Sequence, residues 1–158
     1  MAYNTKYYGS FKNYYNDTFD FYIKGKDYSG SDNEVITTES PMSLSYPGDD
    51  RNVLNAMFGS QLTINLMSMT NFQFIDLHTS DARGFKIEVY KNSSLWWIGW
   101  LLPDLFTEPY VSAPYPVSIT ARCGLGELKE HIIEDKIARV RRSEGDTLVM
   151  TDKPDLFS

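Results

Sequence analysis

The residues of this chain that could do chemistry are few and scattered. Gly124-Leu125-Gly126 is the one Gly-rich candidate for a phosphate cradle. It lacks the third glycine of a dinucleotide loop and the Lys-Ser/Thr pair of a nucleotide loop, so it reads as a turn leading into a helix. Cys123 stands just before it, where a helix N-terminus could lower a thiol pKa, but a lone cysteine at a strand end is far more often a small buried hydrophobe. His78 and His131 sit on unrelated segments, with no second histidine to complete a zinc helix. The acidic pairs Asp49-Asp50 and Glu134-Asp135 fall in turn or helix-end contexts, where capping and solubility explain them better than a glycosidase dyad does. Asn16-Asp17-Thr18 and Asn92-Ser93-Ser94 match the glycosylation sequon but read as ordinary turns. No catalytic, cofactor or metal-binding constellation is expected, and the chain is read as a non-enzyme.

The most pronounced local feature is aromatic: Trp96, Trp97 and Trp100, followed by Phe106, Tyr110 and Tyr115. Such a cluster can be a carbohydrate-stacking platform, a protein interface or core. Consecutive residues of a strand point to opposite faces, so Leu95, Trp97 and Gly99 should face one way and Trp96, Ile98 and Trp100 the other. Both faces are then apolar and both need cover, from a C-terminal element of the same chain or from another subunit. Trp97 is expected in the core and Trp96 at an interface.

The elements that must hold these residues are β-strands. The 158 residues suit one domain, or one domain plus an arm, and 42% hydrophobic with 15% aromatic content is enough to fold. Period-2 alternation marks strands at Phe19–Lys24, Gln61–Leu66, Phe85–Tyr90 and Val117–Ala121, with further short strands at Val35–Glu39, before Pro41, and at Leu95–Leu102. KGKDYSGSDN (24–33), YPGDDR (46–51), TSDARG (79–84) and KNSS (91–94) read as turns or loops. Phe72–Leu77 fits helix or strand. Short helices are expected through Val53–Met57 and over Glu127–Lys136, and a terminal hairpin from Ile137–Val140 and Thr147–Met150. The sum is a mainly β, antiparallel meander.

Charge and leader signals exclude further classes. Lys and Arg number 15 against 21 Asp and Glu, a net charge of −6, which argues against a phosphate-backbone binder. One cysteine cannot form an intrachain disulfide. The opening residues lack the apolar core of a signal peptide and no run approaches membrane-spanning length, so a chain made in a cytoplasm, with no membrane segment, is expected.

The segments Gly59–Leu66, Phe72–Leu77, Phe85–Tyr90, Leu95–Asp104, Glu108–Tyr110, Pro116–Ala121 and Gly124–Lys129, with Tyr8–Phe11 and Pro41–Tyr46, resemble a family of tail structural proteins of phages and prophages of Bacteroidales-type bacteria. The resemblance spans roughly residues 5–130. It implies an antiparallel β-barrel or split barrel of the tail-hub type over residues 1–130, with one or two short helices, and a C-terminal helix end and hairpin arm over 131–158. It also implies a virion tail protein of the hub, distal-tail or baseplate ring, assembled in the host bacterial cytoplasm as a homo-oligomeric ring among other tail proteins. Genome DNA would pass through the lumen without specific binding, and an acidic chain suits such a passage. No cofactor is implied. Subunit contacts are expected at Trp96, Trp100, Phe106 and Tyr110, and at the basic cluster Arg139, Arg141 and Arg142 of the arm. The alternative is a carbohydrate-binding receptor-recognition module of a phage tail, with Trp96, Trp97 or Trp100 as the platform. Two departures from the family pattern are Cys123, where its members usually have Asp before the Gly-Leu-Gly, and the shortness of this chain.

Overall fold

The computed structural model describes residues 2–46, 59–102 and 108–125, all within one compact unit, Met1–Leu128. The alternation seen in the sequence is the alternation of burial. In β2 (Thr18–Lys26) and β5 (Gln61–Ser68) every second side chain is buried, because successive Cβ atoms leave opposite sides of a pleated strand. The other strands are β1 (Tyr3–Lys12), β3 (Asn33–Glu34), β4 (Ile36–Ser45), β6 (Phe85–Lys91), β7 (Ser94–Leu101) and β8 (Tyr115–Arg122). Together they form one eight-stranded sheet in the order β3-β1-β2-β6-β7-β8-β5-β4. All pairings are antiparallel except β1 with β3. The mainly β expectation holds, while the order is not that of a simple meander: β2 pairs with β6 and β5 with β8, so two of the joints close long loops.

The sheet is open, yet its two edges belong to one stretch of chain. β3 and β4 lie at opposite ends of the strand order and are separated in sequence by Val35 alone. Val35 is buried, and its N–H donates to the Tyr8 carbonyl at 2.9 Å. Its neighbours therefore continue the sheet on either side. Inside the curl the largest fully buried side chains are Phe21, Ile23, Leu62, Ile64, Leu66, Ile87, Val89, Val117 and Ile119, joined by Phe74 and Leu77. Leu77 belongs to a single 3-10 turn, Ile75–Leu77, which resolves the helix-or-strand ambiguity of Phe72–Leu77. Each such burial contributes about 1.5–3 kcal/mol.

Two local readings are corrected. β4 runs through Pro41 rather than ending before it, because the ladder is already irregular between Thr37 and Met42 and needs no N–H there. Leu95 does not join Trp97 inside. Val89 faces Trp97 while Tyr90 faces Leu95, so Trp96 is an extra residue on β7, a bulge that turns Leu95 outward. The expected helices at Val53–Met57 and Glu127–Lys136, the terminal hairpin and the 131–158 arm lie outside the described residues.

Candidate assembly surface

β7 is buried on its inner face and apolar on its outer one. Trp97, Gly99 and Leu101 point inward, and Trp97 is 8% exposed. Its indole N–H donates to Ser60 Oγ at 2.8 Å, which satisfies a donor that burial would otherwise orphan. Outside, Leu95 is 54% and Ile98 44% exposed, with Trp100 half-buried at the end of the row, and Trp96, at the bulge, is 43% exposed. Trp96 rests edge-on against Phe19, ring centroids 5.6 Å apart. Trp100 is covered by Tyr3 at 5.4 Å and by the Arg83 guanidinium 5.7 Å above its ring.

β7 and β8 touch at one end. Trp100 pairs with Arg122 and Leu101 with Ala121, and the Leu102 N–H donates to the Thr120 carbonyl. The remainder of β7, Ser94–Ile98, lies beyond the end of β8 and, among the described residues, is paired on the β6 side alone. Gly99 sits at the fork, where an added Cβ would come within 2.5 Å of the Arg122 carbonyl oxygen, so only glycine lets the two strands meet.

The outer face beside β7 carries an ionic knot. Glu88 is 6% exposed and accepts from Lys24 at 2.5 Å, Lys86 at 2.7 Å and the Tyr90 hydroxyl at 3.1 Å. Burial pushes its carboxyl up, but the hydrogen bonds from Lys24 and Lys86 outweigh this and hold it below the usual carboxylate range. The same carboxylate raises the Tyr90 hydroxyl through their hydrogen bond. Two ammonium groups share one carboxylate, so the knot is net positive.

A second, polar feature is a cleft of about 560 Å³ at the other end of β2, where Lys6 is paired with Asp76 and Lys26 with Asp81 at 2.9 Å. Lys6 also lies over the rings of Tyr28 and Phe85, at 5.0 and 5.5 Å. Burial, with the Asp76 carboxylate beside it, raises the Tyr7 hydroxyl well above the phenol range. Lys6 and Lys26 of the cleft thus meet carboxylate partners within the chain, as expected of a fold-holding cluster.

Of the residues singled out in the sequence, Trp100 lies with Ile98 on the outer face of β7, while Trp96, at the bulge, is partly exposed but leans on the core residue Phe19. Tyr110 is 92% exposed but lies elsewhere, tilted against Phe72 with centroids 5.9 Å apart. Tyr115 is core, and its hydroxyl donates to Glu108 Oε1 at 2.7 Å. Phe106, Arg139, Arg141 and Arg142 lie outside the described residues, as do His131 and both acidic pairs. His78 is exposed. Cys123 packs partly against the core, and its Sγ accepts from the Ser60 N–H at 3.0 Å. Sequence reasoning missed Tyr14 and Tyr15, 97% and 82% exposed at the β1–β2 tip, although the Asn13–Asp17 turn residues around them were a usable signal. Among the described residues no three His, Cys, Asp or Glu side chains are grouped to hold a metal, and no helix is long and apolar enough to cross a membrane. Comparison with known proteins returns no matching family model, no similar curated protein and no similar solved structure.

Proposed function

We propose that this chain is a structural subunit of a bacteriophage tail, a hub, distal-tail or baseplate ring component that works by assembling with copies of itself around the DNA passage and with other tail proteins. The observation that carries the reading is the exposed apolar run of β7: Leu95, Trp96 and Ile98 each leave two-fifths or more of their surface in solvent within one strand. Monomers seldom leave large apolar side chains grouped in this way without a partner. The family resemblance of residues 5–130 supplies the setting, and the net charge of −6 suits a lumen through which DNA slides.

The carbohydrate alternative is less favoured by the same face. A sugar platform needs flat, accessible rings, whereas Trp96 is held edge-on to Phe19 and Trp100 is capped by Tyr3 and Arg83. Sedimentation velocity and negative-stain microscopy of the purified chain, beside a glycan-array screen, test the proposal. Closed oligomers without glycan binding are expected. A monomer at tens of micromolar that binds a glycan saturably overturns it.

A further inference from the structure

The charges on the outer face of β2 are separated along the strand. Its outward residues are Asp20, Tyr22 and Lys24, because Phe19, Phe21 and Ile23 take the buried positions of the same pleat. With Thr5 of β1, Tyr90 of β6 and Ser93 of the following turn, they line a groove of about 320 Å³. The Tyr22 and Tyr90 rings stand at 88° to each other with centroids 5.6 Å apart, so the groove has two aromatic surfaces set at a right angle.

Its two ends carry opposite charge. Lys24 belongs to the knot in which it and Lys86 share the Glu88 carboxylate, an excess of one positive charge. Glu88 stands opposite Tyr22, so Lys24 leans back along the strand and brings its ammonium 6.0 Å from the Tyr22 ring. Asp20, directly across from Tyr90, makes no hydrogen bond or ion pair among the described residues. The other charges at that end leave it so. Asp17 and Lys91 pair with each other at 2.8 Å, and Lys12, exposed further along β1, makes no ion pair with Asp20. Outward positions of a strand are about 7 Å apart, which sets the positive excess and the free carboxylate roughly 7–13 Å from each other.

We propose that this groove binds a short zwitterionic peptide of two or three residues, its ammonium between the Asp20 carboxylate and the Tyr90 ring, its carboxylate against Lys24 and its backbone across the Tyr22 ring. An extended chain of that length spans about 7–10 Å, which matches the separation of the charges. A carboxylate beside an aromatic ring suits an ammonium group, and a lysine suits a terminal carboxylate. A neutral ligand such as a glycan would displace water from both charges and answer neither. The site does not use the apolar run of β7, and it stands whether or not the chain assembles.

Saturation-transfer NMR of the full wild-type chain with triglycine is the test, a readout that serves a monomer and a large assembly alike. Two blocked forms accompany it: triglycine amide lacks the carboxylate, and N-acetyltriglycine lacks the ammonium. Triglycine should bind saturably, and each blocked form should bind about three- to fivefold more weakly, the worth of one charge contact near the surface. Asp20→Asn should bring triglycine down to the level of the acetylated peptide and leave the acetylated peptide itself unaffected, a selective loss that an unfolded variant could not show. No saturable transfer from the wild type, equal binding of the three peptides, or an Asp20→Asn chain that still prefers the free amine overturns the site. Each of these results leaves the assembly reading standing, because sedimentation decides that separately.

Discussion

Ser60 ties Trp97 to the end of β8: its hydroxyl accepts the indole N–H at 2.8 Å, its own N–H reaches Cys123 Sγ at 3.0 Å, and its carbonyl accepts the Cys123 N–H at 3.0 Å. One small residue thus pins the inner face of β7 to the point where the chain leaves β8. Ser60→Ala keeps the backbone bond and strands the buried indole donor, so a loss of about 1–3 kcal/mol is expected in chemical denaturation. Trp97→Ala removes the ring as well and should cost about 3–5 kcal/mol, enough to leave a marginal domain largely unfolded. A Trp97→Ala protein as stable as the wild type would remove Trp97 from the core.

Gly99→Ala tests the fork between β7 and β8. The new Cβ meets the Arg122 carbonyl oxygen, which is backbone and cannot step aside, so the strands must part. A stability loss of about 1–3 kcal/mol is expected, with faster amide exchange at Leu102, whose N–H closes the joint. Uniform exchange across the sheet would show that the strain is not local.

The Glu88 knot predicts a pH dependence with a definite sign. Because Lys24 and Lys86 lower the folded-state pKa of this carboxyl, its stabilising contribution is present above the ordinary carboxylate range and is lost as pH falls through the depressed value. Glu88→Gln should therefore lower stability at pH 7, by about 1.5–3 kcal/mol, and the gap to wild type should narrow steadily below about pH 4. Melting curves of the two proteins across pH 2–7 give the readout, and a gap that widens on acidification contradicts the arrangement.

Trp96→Ala separates fold from assembly. Trp96 is a bulge residue outside the core, touching Phe19 at its edge, so the monomer should melt within about 1 kcal/mol of wild type. Association should weaken by about 2 kcal/mol, the loss of one interface anchor, as read by sedimentation over a concentration series. An unaltered association constant would place the anchor elsewhere.

The strands were legible in the sequence where one face is wet. Phe19–Lys24, Gln61–Leu66, Phe85–Tyr90 and Val117–Ala121 all fall inside observed strands, because burial on one face imposes alternation on the residues themselves. What alternation cannot carry is partnership: nothing local in Phe21 or Leu62 names Val89 or Ala121 as the residue opposite. The placement of Trp97 inside and of Ile98 and Trp100 outside followed from strand parity alone. Leu95 escaped it because parity fails across a bulge, and the bulge is set by the pairing with β6. Pro41 misled as a terminator because it stands where the ladder has already lapsed. The exposed Tyr14 and Tyr15 were passed over because aromatic residues in a strand-rich segment read as core.

Val35, the lone residue between strands at opposite ends of the sheet, bears on how the chain reaches this state. β3 and β4 cannot both hold their places until the six strands between them have curled far enough for one residue to span the gap. Closure is therefore a late event that waits on the distant joints of β2 with β6 and β5 with β8, the slow regime of high contact order. The link is the chain itself, so it holds the curl where the described residues show no ladder between β3 and β4.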